Sequence, residues 1–208
     1  SYILIGVLLA VSSFFALSQG TEEAEMKDTE MKDSTSGEGL QTAVIGGGCF
    51  WCIEAVFERI EGITSAVSGY AGGDVDNPTY KQVSSGTTDH AEVVKLTYDP
   101  SLISYEEILD LFWQAHDPTT LNRQGADVGT QYRSIILYNS EEQRKQAEES
   151  IKKLNKSGTY PDKAVTELAP LTVFYEAEGY HQDYYENNTG TGYCRLVITP
   201  KLKKLGLD

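Results

Sequence analysis

The sequence predicts an α+β fold, a mixed sheet with helices packed on it, joined by long irregular loops and ending in a coil tail. Two patterns point there. Short apolar runs of strand character alternate with stretches whose apolar residues recur at helical spacing. Several strands also follow one another with no helix between them, which disfavours a doubly wound parallel sheet. Size agrees: 208 residues with 40% hydrophobic side chains leave room for one ordinary domain plus appendages.

The chain opens with "SYILIGVLLAVSSFFALSQG", in which residues 2–17 are apolar and uncharged. That run is too short for a comfortable spanning helix. Ala16 and Ser18 are small residues spaced like a signal-peptidase site ahead of Gln19. Residues 1–18 therefore read as a signal peptide or membrane anchor. The rest is expected to be exported: secreted, periplasmic or membrane-anchored facing outward. Residues 19–41 read as an acidic disordered linker, with "EMKDT" followed by "EMKDS" and both methionines, Met26 and Met31. The folded domain is residues 42–208.

Within it, residues 42–47, "TAVIGG", are a short strand ending in glycines. From Cys49 the period changes, with Ile53, Val56, Phe57 and Ile60 at helical spacing. Residues 63–70 read as a second strand, "GGDVDNPTY" as a loop and "AEVVKLTY" (91–98) as a third strand. Ser104 and Glu107 form a capping box for a helix with the stripe Ile108, Leu111, Phe112 and Ala115. "QYRSIILY" (131–138) is a strand, and Ser140 with Gln143 opens a charged amphipathic helix to about Asn155. A strand near 168–175, a short helix around "EGYHQDYY" and the tail complete the chain.

The net charge of -14, from 31 acidic and 17 basic residues, repels phosphate backbones and argues against a nucleic-acid partner. Thirteen tyrosines against six phenylalanines fit either a polar, aromatic-lined cleft or many half-exposed rings. Three cysteines leave one thiol unpaired, so a disulfide framework is excluded and thiol chemistry comes forward.

That chemistry centres on "GGGCFWC", residues 46–52. A thiol at a helix N-terminus meets unpaired N–H groups and the positive end of the macrodipole, which favours thiolate. Position alone serves a nucleophile or a buried structural cysteine equally well at Cys49. Phe50 and Trp51 cannot both face the core, so at least one should border the sulfur, forming an apolar cup suited to a methyl group. Cys49 and Cys52 have thioredoxin-like redox spacing, yet Cys52 also sits at the edge of the core stripe, where a mute buried thiol fits. Zinc on Cys49, Cys52, His181 and Cys194 lacks a second tight ligand pair, so no metal is expected.

These residues resemble the A-type peptide methionine sulfoxide reductases. "GGGCFWCIEAVF" is similar to the family's active-site strand, turn and helix. The likeness continues through "GYAGG", "NPTY", "DHAEVV", "NRQGADVGTQYRS", "HQDYY" and "GYC", in register from about residue 43 to about 200. The resemblance implies a ferredoxin-like α/β sandwich and a protein-repair oxidoreductase that reduces the S epimer of methionine sulfoxide, free or in proteins. It implies that Cys49 is the nucleophile and that Phe50 and Trp51 hold the substrate methyl. It further implies that Tyr80, Glu92, Asp127 and Tyr132 bind and polarise the sulfoxide oxygen, and that Cys194 resolves the sulfenic acid. An external dithiol, thioredoxin or similar, is the implied reductant, with no bound cofactor; a monomer is expected.

The chemistry is coherent. A sulfoxide oxygen leaves only when protonated or strongly hydrogen-bonded. Glu92 serves as that acid if apolar surroundings raise its pKa, with two phenols donating beside it. A second thiol then condenses with the sulfenic acid, and a Cys194 carried on a mobile tail could swing in to do so. His181 reads as a structural hydrogen-bonder. Many family members have two tail cysteines and a glycine where Cys52 stands. Cys49–Cys194 is thus the expected disulfide, with Cys52 an alternative or shuttle. The rival activity is a general thiol–disulfide oxidoreductase using Cys49 and Cys52.

Overall fold

The computed structural model describes residues 39–208. The expected signal peptide or anchor, and all but the last three residues of the expected linker, lie outside them. Along the chain run β1 (Gln41–Gly47), α1 (Phe50–Phe57), β2 (Ile63–Ala71), α2 (Tyr80–Ser84), β3 (Ala91–Tyr98) and α3 (Tyr105–Ala115). There follow β4 (Arg123–Gln124), β5 (Asp127–Val128), β6 (Ser134–Tyr138), α4 (Glu141–Ser157), β7 (Glu167–Pro170) and β8 (Phe174–Glu176). α5 (Tyr184–Asn187) and α6 (Thr199–Leu205) complete the order, with short 3₁₀ and π turns between.

The large sheet has the order β7-β6-β1-β3-β2-β8. Its four central strands, with α1 and α3, give β1–α1–β2–β3–α3–β6, and every pairing among them is antiparallel. That is the ferredoxin-like arrangement. β7 joins β6 in parallel and β8 joins β2 antiparallel, so the sheet is mixed. β4 and β5 form a separate two-stranded ribbon.

β7 and β8 lie at opposite edges of this sheet, yet only three residues separate Pro170 from Phe174. Those residues reach roughly 14 Å, whereas five strand spacings of a flat sheet measure about 24 Å. The sheet must curl until its edges approach. The single strand expected near 168–175 is broken for this reason. Leu171 and Phe174 pack on a small core of Val44, Ala71, Ala91, Val93, Ile135 and Leu137.

The main core lies on the other face, where α1 and α3 pack. The α3 capping box forms as expected: the Ser104 side chain accepts from Glu107 N–H, and the Glu107 carboxylate accepts from Ser104 N–H. In α1, all but Trp51 of the eight residues are buried. An amphipathic helix would show one bare face, so something covers this one.

The cover is the C-terminal segment, and it corrects the expectation of a coil tail. A π-helical turn at Cys194–Ile198 runs straight into α6, and α6 ends on Gly206 at φ 70. Cys194, Ile198 and Leu202, four residues apart, are buried together in the main core. Pro200 falls in the first turn of α6, directly after the π turn. Two further differences are local. Thr79 and Gln82 form a capping box that turns the end of the expected loop into α2. The strand expected from 131 begins at Ser134, after a 3₁₀ turn over Thr130–Tyr132.

Candidate active site

β1 delivers the chain to Gly48, whose φ of +96 turns it sharply into α1. Cys49 is the N-cap, extended at φ -60 and ψ 127, and its side chain makes no cap bond. The free amide of Phe50 instead donates to Glu92 Oε2 at 3.1 Å. Glu92 comes from β3, and close packing of the strands brings it here. A Cβ on Gly46 would meet the Glu92 carbonyl oxygen at 2.6 Å.

Glu92 is 1% exposed, and burial raises its carboxyl to about 8, against the opposing Phe50 N–H and with help from Asp127 and Cys52. At neutral pH it is a carboxylic acid, with one oxygen on the Phe50 amide and a proton to give. Burial also pushes Tyr80 up to about 12 and raises Tyr132; Glu92 and Cys49 add to both shifts. Each phenol therefore stays a donor. Asp127, on β5, accepts from Tyr193 Oη at 2.8 Å. The fold thus brings Cys49, Glu92, Tyr80, Tyr132 and Asp127 together from four elements and a 3₁₀ turn.

Phe50 lies buried beneath this group, while Trp51 is half-buried beside it. Trp51 stacks on Tyr184 at 3.6 Å between centroids and 7° between planes. Its indole Nε1–H donates to His181 Nδ1 at 3.2 Å, which leaves the His181 proton on Nε2. His181 is the structural hydrogen-bonder expected, packed 5.0 Å from Phe50 and 4.5 Å from Tyr80. Glu178 supports the wall, accepting from Tyr70 Oη at 2.8 Å and from the Tyr80 amide at 2.9 Å.

Cys52 is buried, with its Sγ 3.7 Å from the Tyr193 hydroxyl. The neighbouring Cys49 thiol lowers Cys52 to about 7 against burial, with Lys201 and Tyr193 assisting. Burial foremost, then Cys52 and Glu92, push Cys49 up. Cys194 is not on a mobile coil: it is 0% exposed, in the π turn, in the same core cluster as the other two.

Sequence reasoning missed Tyr193, Tyr184, Glu178 and Lys201. The tyrosine excess announced such residues without locating them, and both tyrosines lay inside quoted motifs. Among the described residues, no group of three or more His, Cys, Asp and Glu side chains is arranged to hold a metal ion. A cavity of about 450 Å³ between α3, α4 and α6, lined by Trp113, Ser150, Lys153 and Tyr160 among others, includes none of the site residues.

A thiol pair at a helix N-terminus, beneath a protonated carboxyl and a group of phenols on an α+β sandwich, defines a cysteine-based oxidoreductase. Residues 41–207 match the family model described as peptide methionine sulfoxide reductase. The chain is 60% identical to the peptide methionine sulfoxide reductase MsrA of Saccharolobus solfataricus over 165 residues, covering 79% of this chain and 92% of that protein. It is 58% identical to the one from Haloquadratum walsbyi, covering 79% and 94%. Reduced Mxr1 from Saccharomyces cerevisiae superposes with a TM-score of 0.72 at 32% identity, covering 77% of this chain and 92% of that one. Methionine sulfoxide reductase A of Corynebacterium diphtheriae gives 0.70 at 36%, covering 77% and 80%. The chain belongs to the peptide methionine sulfoxide reductase family; it is an oxidoreductase that reduces methionine sulfoxide and repairs oxidised protein.

Proposed function

We propose that Cys49 is the nucleophile for the S epimer of methionine sulfoxide, with Glu92 as the acid. The Cys49 thiolate attacks the substrate sulfur, and Glu92 gives its proton to the departing oxygen while Tyr80 and Tyr132 donate to it. Asp127 helps hold the polar end of the substrate. Phe50 and Trp51 take the methyl group. The oxygen transfers to Cys49 as sulfenic acid, and methionine leaves with sulfur reduced by two electrons. The observation that carries this reading is Cys49 at the α1 N-cap beside a buried, protonated Glu92.

Cys52 then condenses with the sulfenic acid, forming a disulfide and releasing water. Its place within one turn of Cys49, with its amide donating to the Cys49 carbonyl at 3.0 Å, favours it over Cys194, because closure there needs little backbone movement. Cys194 is a second resolver or relay, favoured by its place in the same buried cluster on a π turn. A dithiol protein of thioredoxin type returns the disulfide to thiols. We further propose that residues 1–18 export the domain or anchor it outward, that 19–41 tether it, and that it works as a monomer. The mass of the mature N-terminus and light scattering test these points.

The catalytic reading has a direct test. Cys49→Ser should form no methionine in a single turnover, since a hydroxyl is no comparable nucleophile at neutral pH; appreciable product overturns it. Cys52→Ser and Cys194→Ser should each release one methionine per enzyme. Peptide mapping after that turnover should show Cys49–Cys52 in the Cys194→Ser variant. A Cys49–Cys194 disulfide in wild type would reverse the order of resolvers. Reduction of protein disulfides without sulfoxide consumption would favour the general thiol–disulfide activity.

A further inference from the structure

The Tyr193 hydroxyl stands between the oxygen-binding groups and the sulfurs. It donates to Asp127 Oδ2 at 2.8 Å and lies 3.7 Å from Cys52 Sγ. It also bears on Cys49: the hydroxyl favours the Cys49 thiolate, while burial first and then the two thiols hold the phenol protonated. Its ring sits edge-on to Trp51 at 5.7 Å and 76°. Tyr193 also leads directly into the π turn that begins at Cys194.

A phenol carries one proton. Tyr193 can donate it to Asp127 or to a sulfur, never to both at once. We propose that Tyr193 is a further catalytic residue whose hydroxyl serves Asp127 in the resting enzyme and turns to the thiol pair when Asp127 engages substrate. This deepens the reading of Cys49 as nucleophile and rests on it. A donated hydrogen bond lowers the cost of a buried thiolate at the moment that thiolate must attack. Substrate arrival thus supplies its own activation, since engaging Asp127 frees the hydroxyl.

Other groups also face the sulfurs. Cys49 meets Glu92 from β3 and the phenols of Tyr80 and Tyr132; Cys52 meets Lys201 from α6 and Asp127 from β5. A test must separate Tyr193 from all of them. The reduced full chain and its Tyr193→Phe variant would be alkylated with iodoacetamide across pH, with each cysteine read by peptide mass spectrometry. In the resting enzyme the hydroxyl serves Asp127, so the midpoint for the Cys49–Cys52 pair should move little in the variant. A midpoint raised by about one pH unit, with labelling roughly tenfold slower at pH 7, would mean that the hydroxyl already serves the thiols at rest and overturns the switch.

Asp127→Asn supplies a second arm. It should lower the midpoint more with Tyr193 present than in the Tyr193→Phe double variant; equal shifts overturn the switch between acceptors. No substrate enters either measurement, so its failure is distinct from failure of Cys49 as nucleophile, which product formation reads.

Discussion

The strand–turn–helix at residues 41–57 and the C-terminal segment at residues 179–205 meet over the same thiols but hold their groups differently. β1 is paired on both sides, by β3 and β6, and Cys49 sits where that ladder passes into α1. Its position is set by backbone. The C-terminal segment is a series of short helical pieces, each too short to be stable alone. Side chains fix it: Gln182 exchanges hydrogen bonds with the Ser68 main chain, Glu54 accepts from the Tyr184 amide, and Lys201 Nζ caps the Ala115 carbonyl at 2.5 Å. The lesson is a division of labour. Cys49 and Glu92 stand on backbone held by strand pairing, while the cover over the thiols, with Tyr193 and Cys194, is held by side-chain contacts.

The largest effect should come from the rigid side. Glu92→Gln keeps the contact with Phe50 but loses the transferable proton, so single-turnover methionine formation should fall by roughly 10²–10⁴. Substrate binding should change far less. In the unmodified protein the rate should fall as pH rises through about 8, where the raised Glu92 pKa finally releases its proton. An unchanged rate near neutral pH would remove Glu92 as the acid.

Next is the packing that brings β3 to the thiol. Gly46→Ala places a methyl 2.6 Å from the Glu92 carbonyl oxygen and 2.9 Å from Ile135 Cγ2. A stability loss of about 1–3 kcal/mol is expected from urea midpoints. A neutral result would mean the strand–turn–helix is less rigid than the comparison requires.

Trp51→Phe probes the seam between the regions, removing the indole donor to His181 while keeping an aromatic face for Tyr184. The loss should be about 1 kcal/mol. Hydrogen exchange should quicken across residues 179–205 and stay unchanged in β1 and α1. Equal quickening in both would collapse the distinction, making them one cooperative unit.

The smallest effect concerns pH and stability. Burial raises Glu54 to about 7, and burial with Asp183 raises Glu58 to about 8. The folded chain therefore holds protons there that the unfolded chain, near 4.5, has released, so stability should fall as pH rises from about 5 to 8. Glu54→Gln should flatten that slope in urea titrations at several pH values; an unaltered slope would mean Glu54 ionises freely in the fold.

Much of this was legible in the chain. The glycines before Cys49 and the change of period after it forecast the turn and helix, and the Ser104 capping box forecast the start of α3. These are local signals, each contained in one turn of backbone. The short α2 was missed because its capping box spans only a few residues beside a glycine-rich loop. The helical tail was missed because its sequence carries local helix breakers, Pro200 and the glycines before Cys194, that only tertiary packing overrides. Its buried stripe becomes visible once α1 is known to need a cover.

The sequence by itself determined the class of the site: a helix-start thiol with two aromatics beside it, an acid on a strand and an excess of phenols. Such chemistry depends on residue type and local backbone, and both are written along the chain. Only the tertiary structure decided that Cys194 is buried and that Tyr193 links Asp127 to sulfur. Tyr193 lies 66 residues from Asp127 and 141 from Cys52. Contacts across such separations follow from how the curled sheet and the C-terminal segment enclose α1, which no single stretch of sequence encodes.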